Sequence, residues 1–335
     1  MDDQLTAARS GDPAAFELLV SGYRNELYAH CYRMLGSIQD AEDAFQDSLL
    51  GAWRGLPTFE ARSSVRTWLY RITTHACLRL LERRPTRLLS TDYGPPRRGG
   101  DDLGRPVLGP VWLEPLPDEI PDGEVAGTDP AAHYLRREGV ELAFAAALQQ
   151  LPGNQRAVLI LRDVLAFSAV ETAELLDTSV ASVTSALQRA RRSIAGRVPP
   201  TTQREELDSL GADGRRDLVN ALVSAWERAD IPALIELLTA DATFTMPPLP
   251  AWFDGRDAIA EFMAERLFAT PWRLLPILAN QQLAFGCYQG NALGDHFRLG
   301  AVNVLSLRSG RVSWIAAFVD PAVVASFGLP QELTS

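Results

Sequence analysis

Ser168-Ala169-Val170-Glu171-Thr172-Ala173-Glu174-Leu175-Leu176-Asp177-Thr178-Ser179-Val180-Ala181-Ser182-Val183-Thr184-Ser185-Ala186-Leu187-Gln188-Arg189-Ala190-Arg191-Arg192-Ser193-Ile194 is the stretch on which the fold turns. Ser168 followed three residues later by Glu171 is a capping box, and it opens a short helix through Leu176. Asp177-Thr178-Ser179 forms a tight turn, with Ser179 placed to cap the next helix. On that second helix Val183, Leu187, Ala190 and Ile194 share one face, at the spacing of a buried helical stripe. Ala181, Ser185, Gln188 and Arg192 fall opposite, flanked by Ser182, Thr184 and Arg189. Small residues let a helix sink into a major groove, Gln and Arg can bond base edges, and Ser, Thr and Arg can hold phosphates near the helix N-terminus. The pattern predicts a DNA-binding helix-turn-helix. A plain helical hairpin with a solvated arginine face shares the periodicity; Ala173, small where the helices must cross closely, favours the DNA-binding motif.

Working towards the N-terminus, residues 4–88 have few breakers, and Phe16, Leu19, Val20 and Tyr23 follow the helical i, i+3, i+4, i+7 rule. On a helix from Ile38 to Trp53 the inner stripe is Ala41, Ala44, Phe45, Ser48, Leu49, Ala52 and Trp53. Asp40, Asp43, Asp47 and Arg54 align outside, a ridge that could meet a basic helical partner or simply face water. On the next helix Val65, Trp68, Leu69, Ile72, Ala76 and Leu80 pack inward, while Thr67, Arg71, Thr74, His75 and Leu78 look outward beside Arg62, Arg66 and Arg79. Arginines among small polar residues and a histidine fit a single-stranded nucleic-acid surface, where planar groups stack on unpaired bases. By spacing alone His75 is equally an ordinary surface histidine.

Charge constrains how such a chain could hold DNA. The 335 residues carry 32 basic and 42 acidic side chains, a net charge of −10. Every cation is arginine, which suits phosphate contact and is also what GC-rich codon usage produces. Residues 1–90 are neutral, 91–134 carry −6, 135–200 carry +2 and 201–335 carry −6. Bulk electrostatics cannot supply the affinity, because non-specific DNA binding comes from neutralised phosphates. Something besides charge must bring this chain to DNA. Composition, 47% hydrophobic and 22% charged, excludes wholesale disorder and a coiled coil. Cys31, Cys77 and Cys287 are far apart in sequence and lack metal-ligand spacing, which argues against a disulfide scaffold and a zinc site; no cofactor is expected. The acidic N-terminus and the absence of about 20 consecutive apolar residues lead to the expectation of a soluble, cytoplasmic protein.

Breakers and acids from about Leu89 to Pro130 read as a linker, residues 89–130. Within it Val111-Trp112-Leu113-Glu114-Pro115-Leu116-Pro117 is an apolar island, and Trp112 beside Leu113 suggests a docking segment. Helical pattern runs over 131–198, residues 199–214 read as a second linker, and 215–328 change type. There the pattern predicts helices over Arg215–Ala229, Ile231–Leu238 and Arg256–Phe268 and a strand about Ala242–Met246. Four β-rich runs follow, Trp272–Asn280, Gln282–Gln289, His296–Leu307 and Arg311–Val319, with Arg308-Ser309-Gly310-Arg311 as a hairpin turn. The expectation is an α+β domain with a curved antiparallel sheet behind two all-α modules.

Three segments carry a family resemblance. They are Asp40-Ala41-Glu42-Asp43-Ala44-Phe45-Gln46-Asp47, then Phe59 to Arg84 around Arg66-Thr67-Trp68-Leu69-Tyr70-Arg71-Ile72, and Leu151-Pro152 leading to Gln155-Arg156-Ala157-Val158-Leu159. Together they resemble the extracytoplasmic-function class of bacterial sigma factors, over about residues 4–88 and 131–198. The resemblance implies that residues 1–88 bind core RNA polymerase, with Asp40, Asp43, Gln46, Asp47 and Arg54 meeting the clamp helices of the largest subunit. It implies that Arg62, Arg66, Arg71, Thr74, His75 and Arg79 hold the minus-ten strand; His75 stands where relatives often carry Asn. Ser182, Thr184, Ser185, Gln188, Arg189 and Arg192 would read the minus-thirty-five element. The C-terminal element order looks like the cone-shaped SnoaL-like fold appended to sigma factors with a Trp-Leu-Glu-Pro-like linker motif, here Trp112 and Leu113. Met246, Trp252, Phe253, Phe262, Trp272 and Phe285 could line its apolar pocket, with a small ligand as a possible occupant. Asp241, Asp254 and His296 are the candidates for acid–base work there. The reading is a promoter-directing sigma factor, not an enzyme, whose C-terminal domain is regulatory and contacts the sigma domains. Two alternatives are a one-component regulator that senses a ligand in the C-terminal pocket, and a polyketide-type isomerase or hydrolase with a DNA-binding module.

Overall fold

Three of the N-terminal helices, those starting at Pro13, Ile38 and Val65, begin where a short polar side chain satisfies the first free amides. In the computed structural model, which describes residues 2–61, 63–98, 102–109, 111–118, 140–291 and 293–334, α1 is Asp2–Arg9 and α2 is Pro13–Ser21. Asp12 accepts from the Ala14 amide at 2.9 Å, and Pro13 occupies the first turn. Helix α3, Arg24–Leu35, stops at Gly36, whose φ of 66° suits glycine. Helix α4, Ile38–Gly55, is capped by Ser37, and α5, Val65–Leu81, by Ser64, which accepts the Thr67 amide at 3.0 Å.

These helices bury Leu27, Tyr32, Met34, Ala41, Ala44, Phe45, Leu69, Tyr70 and Cys77. Polar side chains tie α3 to α5 inside that core: Tyr70 Oη donates to Glu26 at 3.1 Å, and His30 Nε2 lies 2.9 Å from Thr74 Oγ1. All three cysteines are free and buried, yet Cys31 and Cys77, distant in sequence, meet thiol to thiol between α3 and α5. Burial and that contact push the Cys31 thiol well up.

The next helices are α6, Leu142–Gln149, α7, Gly153–Leu159, α8, Ala169–Leu175, and α9, Val180–Ile194; a π turn at Ile160–Val164 extends α7. Both expected caps form, Ser168 with Glu171 and Ser179 with the Ser182 amide at 3.1 Å. Arg156 is buried on α7 and donates to the carbonyls of Met34, Gln149 and Leu151 and to Gln149 Oε1. One compact unit gathers the chain up to Arg87 together with Phe144–Val198.

The second unit contains Leu88 onward through the described part of the linker, Glu141–Ala143, and Pro199–Ser335. Its helices are α10, Gln203–Glu227, kinked at Gly211, and α11, Ile231–Glu236. Strands β1, Leu238–Thr245, and β2, Trp252–Asp254, precede α12, Gly255–Glu265. Then come β3, Trp272–Ala279, β4, Gln282–Gly290, β5, His296–Arg308, and β6, Arg311–Phe318; α13, Pro321–Ala325, and β7, Glu332–Thr334, close the chain. The sheet order is β2-β1-β6-β5-β4-β3, with β7 on β5. Bulges in the β4–β5 and β5–β6 ladders bend it. Ser309 and Gly310 both have positive φ, as do Asn280 and Gln281, so both two-residue hairpins use the primed turn that matches strand twist.

Three expectations change. The sheet is mixed rather than antiparallel, because β1 pairs with β6 in parallel. Most of 199–214 is helix: Gln203 opens α10 and exchanges two amide hydrogen bonds with the Leu307 backbone at 3.0 and 2.6 Å. The described part of the 89–130 linker is packed rather than free on either side of the apolar island, and Trp112 and Leu113 dock as expected. Trp112, Leu113 and Leu116 are buried, Leu113 N–H donates to Leu88 O, and Leu116 pairs with Asn280 through two 2.8 Å bonds. The expected helical start at Ala131 lies outside the described residues.

Candidate nucleic-acid and polymerase interfaces

Helix α9 presents the array its sequence foretells. Val183, Leu187 and Ala190 are buried, whereas Ala181, Ser182, Thr184, Ser185, Gln188, Arg189 and Arg192 are exposed. Ser182 Oγ meets Ser179 Oγ at 2.9 Å and Thr184 Oγ1 donates to Val180 O, so both stay near the helix start. Arg191, whose role carries no local signal in the sequence, forks onto Asp163 with bonds of 2.8 and 2.7 Å and braces α9 against the end of α7.

On α4 the exposed ridge is Asp43, Gln46, Asp47 and Arg54. Gln46 is held by Glu42 at 2.7 Å. Asp40 is not part of it. It is 3% exposed, and its carboxylate takes the buried Arg87 guanidinium and, at 3.3 Å, Arg84. An aspartate in the first turn of a helix also meets the positive end of its dipole. Asp40 therefore anchors the chain after α5 to the start of α4, a pairing no local spacing could reveal.

Helix α5 divides the minus-ten candidates. Arg71 and Arg79 are exposed and His75 is half-buried. With Gly51, Trp68 and Ile72 they line a cleft of about 390 Å³ between α4 and α5. Trp68 and Ile72, expected to pack inward, thus lie on the cleft wall. Thr74, expected outside, is fully buried against His30. Arg62 lies outside the described residues. Arg66 is half-buried, with its guanidinium 4.5 Å over Phe167 and 5.0 Å over Tyr70.

In the C-terminal domain Met246, Phe253, Phe262 and Phe285 are buried in one core, and Trp272 packs against it. Phe253 and Phe262 stack at 4.3 Å, so these side chains fill one another's space. Trp252 turns its indole N–H to Gly94 O at 2.7 Å, which ties the linker to β2. Asp241 is exposed against Arg308, Asp254 is exposed at the start of α12, and His296 is exposed 3.4 Å from Glu332. Bonds from Thr239 and Arg308 hold the Asp241 carboxyl below the usual range.

Residues 19–86 match Sigma-70 region 2, 141–194 match Sigma-70 region 4, and 219–315 match the SnoaL-like domain. The extracytoplasmic-function (ECF) RNA polymerase sigma factor SigG of Mycobacterium tuberculosis is 41% identical over 330 residues, 97% of this chain and 86% of SigG. The chain belongs to the extracytoplasmic-function sigma factors. As an RNA polymerase sigma factor it works with core polymerase and promoter DNA in transcription initiation. The one-component regulator is not favoured, since region 2 is present beside the helix-turn-helix. SigW of Bacillus subtilis is 26% identical over 204 residues, 57% of this sigma factor and 92% of SigW. The crystal structure of Mycobacterium tuberculosis SigJ shares the fold, with a TM-score of 0.61 at 22% identity, covering 95% of this chain and 100% of that one. Among the described residues no helix is long and apolar enough to cross a membrane.

Proposed function

We propose that α9 reads the minus-thirty-five element through Ser182, Thr184, Ser185, Gln188, Arg189 and Arg192. The α5 cleft, with Arg71, His75 and Arg79, receives the unpaired minus-ten strand in the cytoplasm. Asp43, Gln46, Asp47 and Arg54 meet the clamp helices of the polymerase's largest subunit. The observation that carries the reading is the α9 face: every proposed contact there is exposed while Val183, Leu187 and Ala190 beneath are buried. A net charge of −10 fits a chain that relies on polymerase for affinity. Run-off transcription with purified core enzyme tests it. Gln188→Ala with Arg192→Ala should weaken initiation about tenfold or more at a promoter that needs its upstream element, since each bidentate base contact contributes roughly 1–3 kcal/mol. Equal output from wild type and variant would refute the assignment.

The C-terminal domain acts as a fused regulator through its surfaces and the docked Trp112–Leu113 segment. Its pocket candidates pack on one another, which favours surface action over ligand binding. Releasing the segment by Trp112→Ala should change promoter-directed output; unchanged transcription would count against regulation by this route.

A further inference from the structure

The apolar stripe of α9 runs on in sequence to Val180, three residues before Val183, but at the helix start it leaves the core: Val180 is 42% exposed, and Ala181 beside it is exposed too. A single exposed valine is ordinary. This one heads a row. Val180, Thr184, Gln188 and Arg192 follow one another at four-residue intervals, so they line one ridge of the helix, and all four are exposed. Thr184 Oγ1 donates to Val180 O at 2.9 Å, so its hydroxyl proton is spent on the helix backbone; besides an acceptor oxygen the side chain offers the surface a methyl group. The first turn of α9 holds no acid to repel phosphate. Ser179 Oγ accepts the Ser182 amide at 3.1 Å and Thr178 N–H donates to Ala173 O at 2.9 Å, which fixes the turn that presents Val180. The ridge therefore changes chemistry along its length: apolar at Val180, Ala181 and the Thr184 methyl, hydrogen-bonding at Gln188 and Arg192.

Among the base edges in the major groove, one methyl group is on offer, the 5-methyl of thymine. An apolar ridge end laid against those edges has one base to prefer. We propose that Val180, Ala181 and the Thr184 methyl are specificity-determining contacts that read a thymine 5-methyl at one end of the upstream promoter element, while Gln188 and Arg192 bond the neighbouring base pairs. This rests on the reading of α9 as the helix that enters that element. Methyl contact suits a chain of net charge −10, because it adds discrimination without relying on phosphate attraction. Val180 and Gln188 stand about 12 Å apart along the axis at ~1.5 Å per residue, so the thymine lies within about four base pairs of the one that Gln188 contacts.

Run-off transcription by the full chain with core polymerase, at limiting sigma factor, tests it on templates in which single thymines of the upstream element are replaced by uracil. Uracil keeps every hydrogen-bonding group and removes only the methyl. At one or two positions the replacement should lower output roughly three- to fivefold, the factor that one buried methyl group contributes. Val180→Ser should erase most of that difference, and Val180→Thr, which keeps a methyl, should retain part of it. Uracil tolerated at every thymine, or a uracil effect that Val180→Ser leaves unchanged, would overturn the proposal. Gln188→Ala with Arg192→Ala separates the failures. If that variant loses output while uracil is tolerated, α9 enters the element but reads no methyl; if it changes nothing, α9 is not the reading helix and the proposal falls with it.

Discussion

Lowering the pH should destabilise the N-terminal unit through one residue, His30. The imidazole is fully buried, bonded to Thr74 at 2.9 Å and edge-on to Tyr70 at 5.3 Å. Burial first, then the charges of Arg33 and Arg66, pull its pKa from 6.5 to about 3. Between those values the unfolded chain binds a proton that the folded chain refuses, so the stability is present above the unfolded value and is lost as pH falls. One unit of difference is about 1.4 kcal/mol, so moving from about pH 7 to pH 5 costs about 2 kcal/mol from this residue alone. The assay is urea denaturation of wild type and His30→Gln at both pH values; glutamine can still bond Thr74 but does not titrate. Wild type should lose about 2 kcal/mol more than the variant over that interval. Equal losses would mean that His30 is protonated in the fold, and the account of this core would be wrong.

Arg156→Ala should destabilise the same unit by about 3 kcal/mol or more, measured by urea midpoint, because it strands the buried carbonyls of Met34, Gln149 and Leu151. Asp40→Asn should cost about 3 kcal/mol by leaving buried Arg87 without its carboxylate, and should speed proteolysis after α5. Leu187→Ala should loosen α9 by about 2–3 kcal/mol, read as faster amide exchange in that helix. Asn280→Ala removes the acceptor for Leu116 N–H and places alanine at a φ of 52°; a cost of about 2 kcal/mol should appear as quicker cleavage near Trp112, and Asn280→Gly should recover the backbone share.

The helix-turn-helix was legible because α9 buries a single stripe, and a single stripe is what a 3.6-residue period encodes. Its caps were legible for the same local reason. Helix α5 was harder: it buries Leu69, Tyr70, Thr73, Thr74, Ala76 and Cys77, spread around much of its circumference. A helix packed on several sides has no clean polar face, so periodicity alone puts Thr74 outside and Trp68 inside. Asp40 carries no local sign of its burial because its partner lies 47 residues away, and Asp177 none of its ion pair because Arg71 lies 106 residues away. The first half of α10 resembles a linker in sequence because polar residues and Gly211 hide a helix held by buried Gln203 and Glu206. The parallel β1–β6 pairing carries no signal within either strand, since it joins segments far apart in the chain.

The Asp40–Arg87 clasp has a practical meaning for anyone who would transplant this N-terminal module. Arg84 and Arg87 follow the last turn of α5, where a designer trimming to the helix end would discard them, yet their charges close over a carboxylate at the foot of α4. The portable cassette ends after Arg87, and a splice made earlier would carry an uncompensated anion into its new host.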